Sequence, residues 1–380
     1  MTHRWIASDR EVVEFVEQAS KEPRYALDTE FHRERTYFPK LALVQIATVG
    51  EIVLIDPLGC DLSPLKTLFA SESLCVVHAA QQDLDVLTHA VGAIPRRLYD
   101  TQLAAGFLGY STPSLVSLLQ GELRVTAAKG DRLTDWLRRP LSDDQCAYAA
   151  SDVAHLLELH DTLTAKLEAE GRVQWVADAC EELRTRPVGG IDPDLAFTKL
   201  KDVRILKPRA RGVARAVAGW RERRAMSIDS PVRQVLPDLA ILGIAQKQPR
   251  TVQELGQARG VDERHTRGNI AKELLAAVEL GLADESPPVA TEVDDLDRGM
   301  RPAVTLVSAW VSEVARQQRI DSGLLATRHD LVALLRGDAD ARLASGWRGE
   351  LLGEGIRRLV AGEAALTFDG RGGLNLIDVP

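Results

Sequence analysis

The 380-residue chain has few aromatic residues (5%) and only four cysteines, and its longest uncharged run is not apolar. That run, Thr101–Gly121, contains Gln102, Tyr110, Ser111, Pro113 and Ser117, which makes it too polar to span a bilayer. The N-terminal stretch carries Arg4, Asp9, Arg10, Glu11 and Glu14, so an apolar signal-peptide core is not expected. Cys60, Cys75, Cys146 and Cys180 lie far apart with no C-x-x-C pair, a usage that fits reduced thiols and a cytoplasmic protein. There is no G-x-x-x-x-G-K-[ST], G-x-G-x-x-G, G-x-S-x-G or H-E-x-x-H. Nucleoside triphosphate, dinucleotide, serine-esterase and zinc-protease chemistry therefore have no local signature. His155 and His160 stand five apart on a helical pattern, a poor spacing for a shared metal.

The composition is that of a globular protein, with 45% hydrophobic and 27% charged residues, and its Ala, Leu, Glu and Arg content favours helix. A net charge of -8 hides an asymmetry. Residues 1–200 carry 20 basic and 30 acidic side chains, whereas residues 201–280 carry 16 basic and 9 acidic. The first half is suited to gathering cations, and the third quarter to a polyanion.

Apolar runs separated by turn residues predict strands at Tyr25–Phe31, Leu41–Thr48, Glu51–Asp56 and Leu74–Ala79. Helical patterns cover Asp61–Ala70, Gln82–Val91 and, longest, Asp143–Glu170, with Ala147, Ala150, Ala154, Leu157 and Leu163 on the expected buried side. Strands alternating with helices predict an α/β domain with a mixed sheet and flanking helices over residues 1–195. Arg186–Gly190 breaks the pattern and starts a connector. Beyond it, residues 207–283 read as helical, with a capping box at Thr251–Glu254. Residues 284–300 read as an acidic linker containing Pro287-Pro288, and residues 301–380 as a further helical piece. This last piece has a capping box at Thr327–Asp330 and a closing hairpin formed by Ala365–Phe368 and Leu374–Val379.

Three acidic signals stand out. Asp28-Thr29-Glu30 ends an apolar strand, and side chains two apart project to one face. Such a pair is costly without a cation, a hydrogen-bond network or protonation, although a solvated strand end is the competing reading. Asp83 falls in the first turn of a helix, where Asp is also common for electrostatic reasons alone. Tyr148 and Asp152, at i and i+4, share a helix face, which packing also explains.

Together, however, these stretches form an ordered set. Leu27–Ala47 resembles the first exonuclease motif of the ribonuclease D family, His78–Leu84 its second, and Tyr148–Asp152 its third. Thr134–Leu141 (T-D-W-L-R-R-P-L) is similar to the segment leading into that third motif. The chain is thereby identified as resembling the tyrosine variant of the DEDD exonuclease superfamily. Ala218–Arg224 followed by Leu236-Pro237-Asp238 is similar to the helicase-and-ribonuclease-D C-terminal (HRDC) domain. Gly346-Trp347-Arg348 looks like part of a diverged second copy.

The resemblance implies an α/β ribonuclease H-like exonuclease domain followed by two small all-α HRDC-like domains. It implies a 3′–5′ exoribonuclease that releases nucleoside 5′-monophosphates from RNA 3′ ends, tRNA precursors among them. Asp28, Glu30, Asp83 and Asp152 are the implied ligands of two divalent ions; all-oxygen donors suit Mg²⁺ or Mn²⁺. Tyr148 is the implied catalytic residue, orienting the attacking water. Phe31, Lys129, Arg221, Arg223 and Arg224 are candidate substrate contacts, with core packing of Phe31 and a solvated surface for the basic residues as the competing readings. His78 is expected to fix a strand-to-helix turn, Gln45 to be structural, and Asp100 to cap a helix. A DNA-directed 3′–5′ exonuclease and a non-catalytic nucleic-acid-binding protein are the alternatives.

Overall fold

The computed structural model describes residues 2–126, 134–284, 296 and 298–379. The N-terminal part is built on β1 (Arg4–Ile6), α1 (Asp9–Ala19), β2 (Arg24–His32), β3 (Lys40–Ala47), β4 (Ile52–Ile55), α2 (Leu65–Ala70), β5 (Leu74–Val77), α3 (Gln81–Ala90) and β6 (Leu98–Asp100). It continues through α4 (Thr101–Gly106), α5 (Leu115–Glu122), α6 (Asp143–Ala154), α7 (Leu156–Ala169) and α8 (Val173–Arg184). The strands form a six-stranded sheet in the order β1-β4-β3-β2-β5-β6. β3 and β4 run antiparallel, while β1–β4, β2–β5 and β5–β6 are parallel, giving the expected mixed sheet. Strands β3, β4 and β5 are buried nearly throughout, which explains their continuous Leu, Val, Ile and Ala content.

Two local expectations need correction. The helix expected from residue 61 starts at Leu65, because the Asp61 carboxylate accepts the Ser63 N–H in a tight turn and Pro64 stands at the entry. The long pattern Asp143–Glu170 is two helices divided at His155. Its buried side is Ala149, Ala150 and Val153, then Leu156, Leu159, Leu163 and Leu167, while Ala147 is exposed.

The chain divides into two compact units. One comprises residues 1–30, 41–187 and 293–380; the other comprises 31–40 and 188–292. The second unit contains α9 (Pro208–Ser227), α10 (Val232–Val235), α11 (Asp238–Lys247), α12 (Val252–Gly256) and α13 (Gly268–Ala283). α9 and α13 approach so closely that a Cβ on Gly212 would lie 2.4 Å from the Gly281 carbonyl oxygen, which explains glycine inside both helices. The Thr251 capping box forms as expected. Most of the acidic stretch 284–300 lies outside the described residues.

The C-terminal residues add α14 (Arg301–Gln318), α15 (Ser322–Leu325), α16 (Arg328–Arg336), α17 (Gly346–Arg348), α18 (Glu354–Ala361) and an antiparallel hairpin, β7 (Ala364–Phe368) with β8 (Leu374–Asp378). The hairpin forms where the closing pair was expected, within one residue at each outer end. These elements share one apolar cluster with the sheet-bearing part: Phe107, Leu119, Leu163 and Cys180 pack with Val307, Val314, Leu325 and Trp347. The indole of Trp347 stacks on Trp175 at 4.8 Å and meets the Phe107 ring edge-on at 5.4 Å. Polar contacts reinforce the seam. Arg172 donates to the carbonyls of Phe107 and Gln318, and the buried Arg348 pairs with Glu182 at 2.7 Å.

Candidate active site

Asp28 stands at the middle of β2 and Glu30 two residues further on, on one face of the strand, and Asp152 projects from α6. Single carboxylate oxygens from these three residues all lie within 4.8 Å of one another. Asp83, buried in the first turn of α3, accepts the hydroxyl proton of Thr29, the middle residue of the D-x-E pattern.

The cluster is electrostatically crowded. Burial holds the Asp28 carboxyl well above the usual range, and Asp83, Asp152 and Glu30 raise it further. Burial, Asp152 and Asp83 push Glu30 up to about 8. Asp83 and Asp152 are also raised by burial, opposed respectively by the bonds from Thr29 and Tyr148. Acids crowded in this way resist ionising together, and a cation among them relieves the repulsion. The hard oxygen donors and their spacing therefore fit a divalent metal such as Mg²⁺ or Mn²⁺.

Tyr148 is half-buried, and its hydroxyl bonds Asp152. Burial, then Asp152, Glu30 and Asp28, keep the phenol well above its ordinary pKa, so it remains protonated at neutral pH. Its ring stacks on Trp136 with centroids 6.1 Å apart.

The site has supports that motif reading did not assign. Arg139 donates to both Asp56 oxygens and to the carbonyls of Ala42 and Trp136, fixing the backbone whose indole lies against Tyr148. The T-D-W-L-R-R-P-L stretch marked this segment, but nothing local disclosed that Arg139 would reach Asp56. Asp100 caps α4, as expected, and also accepts the N–H groups of Ala79 and Ala80. It thereby holds the turn before Asp83, where Ala79 adopts a φ of 59°. His78 bonds the Thr101 hydroxyl at 2.9 Å, in keeping with its expected role at this turn. Gln45 is fully buried opposite Leu54 in the β3–β4 ladder, with neither amide atom partnered among the described residues.

The substrate candidates fare unevenly. Phe31 is half-buried, and Lys129 lies outside the described residues. Arg221 requires correction: it is only 4% exposed and binds Asp238 and the Leu236 carbonyl, so its charge is spent inside the second unit. Arg224 pairs with Glu273 at 3.2 Å and lies over Trp220, and Arg223 pairs with Asp194 at 3.6 Å.

A family model described as 3′–5′ exonuclease matches residues 3–168, and an HRDC domain model matches residues 210–278. Ribonuclease D of Jannaschia sp. is 35% identical over 98% of this chain and 98% of its own length. The chain belongs to the ribonuclease D family. Ribonuclease D of Escherichia coli is 32% identical over 95% of this chain and 99% of its own. The crystal structure of that protein, described as an exoribonuclease involved in structured RNA processing, superposes with a TM-score of 0.86 over 95% of this chain and 99% of its own. The exonuclease motifs, the mixed-sheet fold and the HRDC match thus agree on a 3′–5′ exoribonuclease, and its DEDD fold implies dependence on a divalent metal.

Proposed function

We propose that this chain trims structured RNA precursors, tRNA among them, from the 3′ end, releasing nucleoside 5′-monophosphates with Asp28, Glu30, Asp83 and Asp152 holding two divalent ions. The observation that carries this reading is the set of inward-facing carboxylates, three with oxygens within 4.8 Å, beside a protonated tyrosine. Bound metal supplies charge stabilisation to an in-line displacement at phosphorus and lowers the pKa of the attacking water. Asp28 and Glu30 present their oxygens from a rigid central strand, and Asp152 closes the cluster from α6. Tyr148, bonded to Asp152 and stacked on Trp136, orients the water through its hydroxyl rather than removing its proton. The direct test is release of 5′-monophosphates from a 3′-hydroxyl RNA with added Mg²⁺ or Mn²⁺ and with chelator, alongside a DNA of the same sequence. Metal-independent cleavage, or none, would overturn the reading; preferential cleavage of DNA would change the substrate.

Tyr148→Phe keeps the stacked ring and removes one hydroxyl. It is expected to lower kcat by about 10²-fold while leaving the metal-titration midpoint unchanged. A shifted midpoint would make Tyr148 part of the metal site instead.

With Arg221 buried, the exposed basic residues Lys199, Lys201, Lys207 and Arg209 become the stronger candidates for following the phosphate backbone. Replacing Lys207 and Arg209 by Ala should weaken RNA binding irrespective of sequence and reduce the slope of log affinity against log salt by about one per residue. Unchanged slopes across a salt titration would place the RNA elsewhere.

A further inference from the structure

The residues that follow Glu30 directly in the chain, Phe31–Lys40, cluster with the HRDC-bearing unit. Three hydrogen bonds from consecutive residues tie this loop to α9 and the turn after it. The Tyr37 hydroxyl donates to Glu222 Oε1 at 2.5 Å, and Glu222 is 5% exposed. The Tyr37 and Phe38 N–H groups both donate to Asp229 Oδ1 at 3.0 Å. Asp229 has a φ of 46°, a conformation Asp tolerates better than most residues, and here it presents one oxygen to two adjacent amides. Gly190 completes the seat. Its φ is +85°, and a Cβ there would lie 2.5 Å from the Tyr37 hydroxyl oxygen.

None of this is required merely to connect β2 to β3, since a loop between two sheet strands needs no buried carboxylate from a helical domain. We infer that Tyr37, Glu222 and Asp229 form a clamp by which the HRDC-bearing unit positions the Phe31–Lys40 loop for the RNA 3′ end. The loop is covalently continuous with Glu30 and carries Phe31, Arg33, Arg35 and Lys40, an aromatic ring and cations suited to a terminal nucleotide and its phosphates. These clamp residues are positioning residues: they act through the loop and bring no group to the metal cluster. The inference rests on the exoribonuclease reading above for its consequence, though not for the clamp itself.

Two measurements on the full-length chain separate those levels. Limited trypsinolysis reads the clamp directly, because Arg33 and Arg35 are exposed cleavage sites inside the loop. Asp229→Ala and the double variant Tyr37→Phe/Asp229→Ala should be cut there about tenfold faster than wild type. Asp229→Asn, which keeps the accepting oxygen, should resist like wild type. In steady-state hydrolysis of a short 3′-hydroxyl RNA, the two clamp-breaking variants should show KM raised about tenfold or more with a smaller fall in kcat. Their metal midpoint should be unchanged, and Asp229→Asn should restore KM. Wild-type proteolysis in Asp229→Ala and the double variant would overturn the clamp, whatever the activity. Faster proteolysis with KM unchanged would overturn its role in positioning RNA. A wild-type chain that cleaves no RNA with metal present would overturn the exoribonuclease reading and the positioning role together, while the proteolysis still decides the clamp.

Discussion

Asp28→Asn is expected to hydrolyse RNA at least about 10³-fold more slowly than the wild-type chain, yet to melt at a higher temperature when metal is withheld at pH 8. Asp28 is the residue most crowded by its neighbours: burial raises its pKa most, followed by Asp83, Asp152 and Glu30. A carboxyl whose folded pKa lies above its unfolded value stabilises the fold fully below the unfolded pKa. That contribution is lost as pH rises through the folded value. For Glu30 the window runs from its ordinary 4.5 to about 8. The metal-free protein should therefore lose stability across this range, and Mg²⁺ added at pH 8 should restore it by replacing protons. Asp28→Asn replaces the carboxyl that resists ionisation by a neutral amide, so the variant should be less sensitive both to pH and to added metal. Thermal melts at pH 5 and pH 8, with and without Mg²⁺, give all four comparisons. Near-normal turnover would remove Asp28 from the ligand set. A metal-free variant less stable than wild type at pH 8 would contradict the crowding argument.

Trp347→Ala is expected to cost about 3–5 kcal/mol of stability, although it lies about 200 residues from the third exonuclease motif. Its side chain is 8% exposed, stacked on Trp175 and capped by the Arg348 guanidinium 4.0 Å from the ring. Removing it opens a cavity against Phe107, and the neighbouring charges lose their packed wall. Denaturant unfolding followed by circular dichroism should show the midpoint falling, or an early separate transition for the C-terminal elements. An unchanged curve would mean that the shared apolar cluster contributes nothing to cohesion. Trp347→Phe, which retains an aromatic ring, should cost less.

The elements that carry the proposed chemistry were legible because each depends on local rules. Alternation along β2 puts Asp28 and Glu30 on one face; helix periodicity joins Tyr148 to Asp152; the strand-to-helix step places Asp83 in a first turn. Motif order then joined signals that are individually weak. What was illegible depends on partners distant in sequence. A count of arginines in α9 cannot reveal that Arg221 is buried on Asp238 and that Arg223 and Arg224 have carboxylate partners. Nothing in the D-x-E pattern discloses that Asp83 accepts the Thr29 hydroxyl proton. Nor does helical periodicity mark His155, where Asp143–Glu170 divides, because no proline or glycine stands there. The second G-W-R triplet also sits differently: Gly219 is inside α9, whereas Gly346 has a φ of +64° and starts a short helix.

The unit that bears the acidic cluster is drawn from both sides, in sequence, of residues 188–292, which belong to the second unit. During synthesis, the sheet and its acidic residues leave the ribosome well before the elements that cover Phe107 and Trp175. Trp347 follows Pro187 by about 160 residues, which at roughly 5–20 residues per second is a delay of about 8–32 s. For that interval the apolar face around Phe107 and Trp175 lacks the cover that Trp347 supplies. Completion of this shared apolar cluster therefore waits for the elements that follow residue 300.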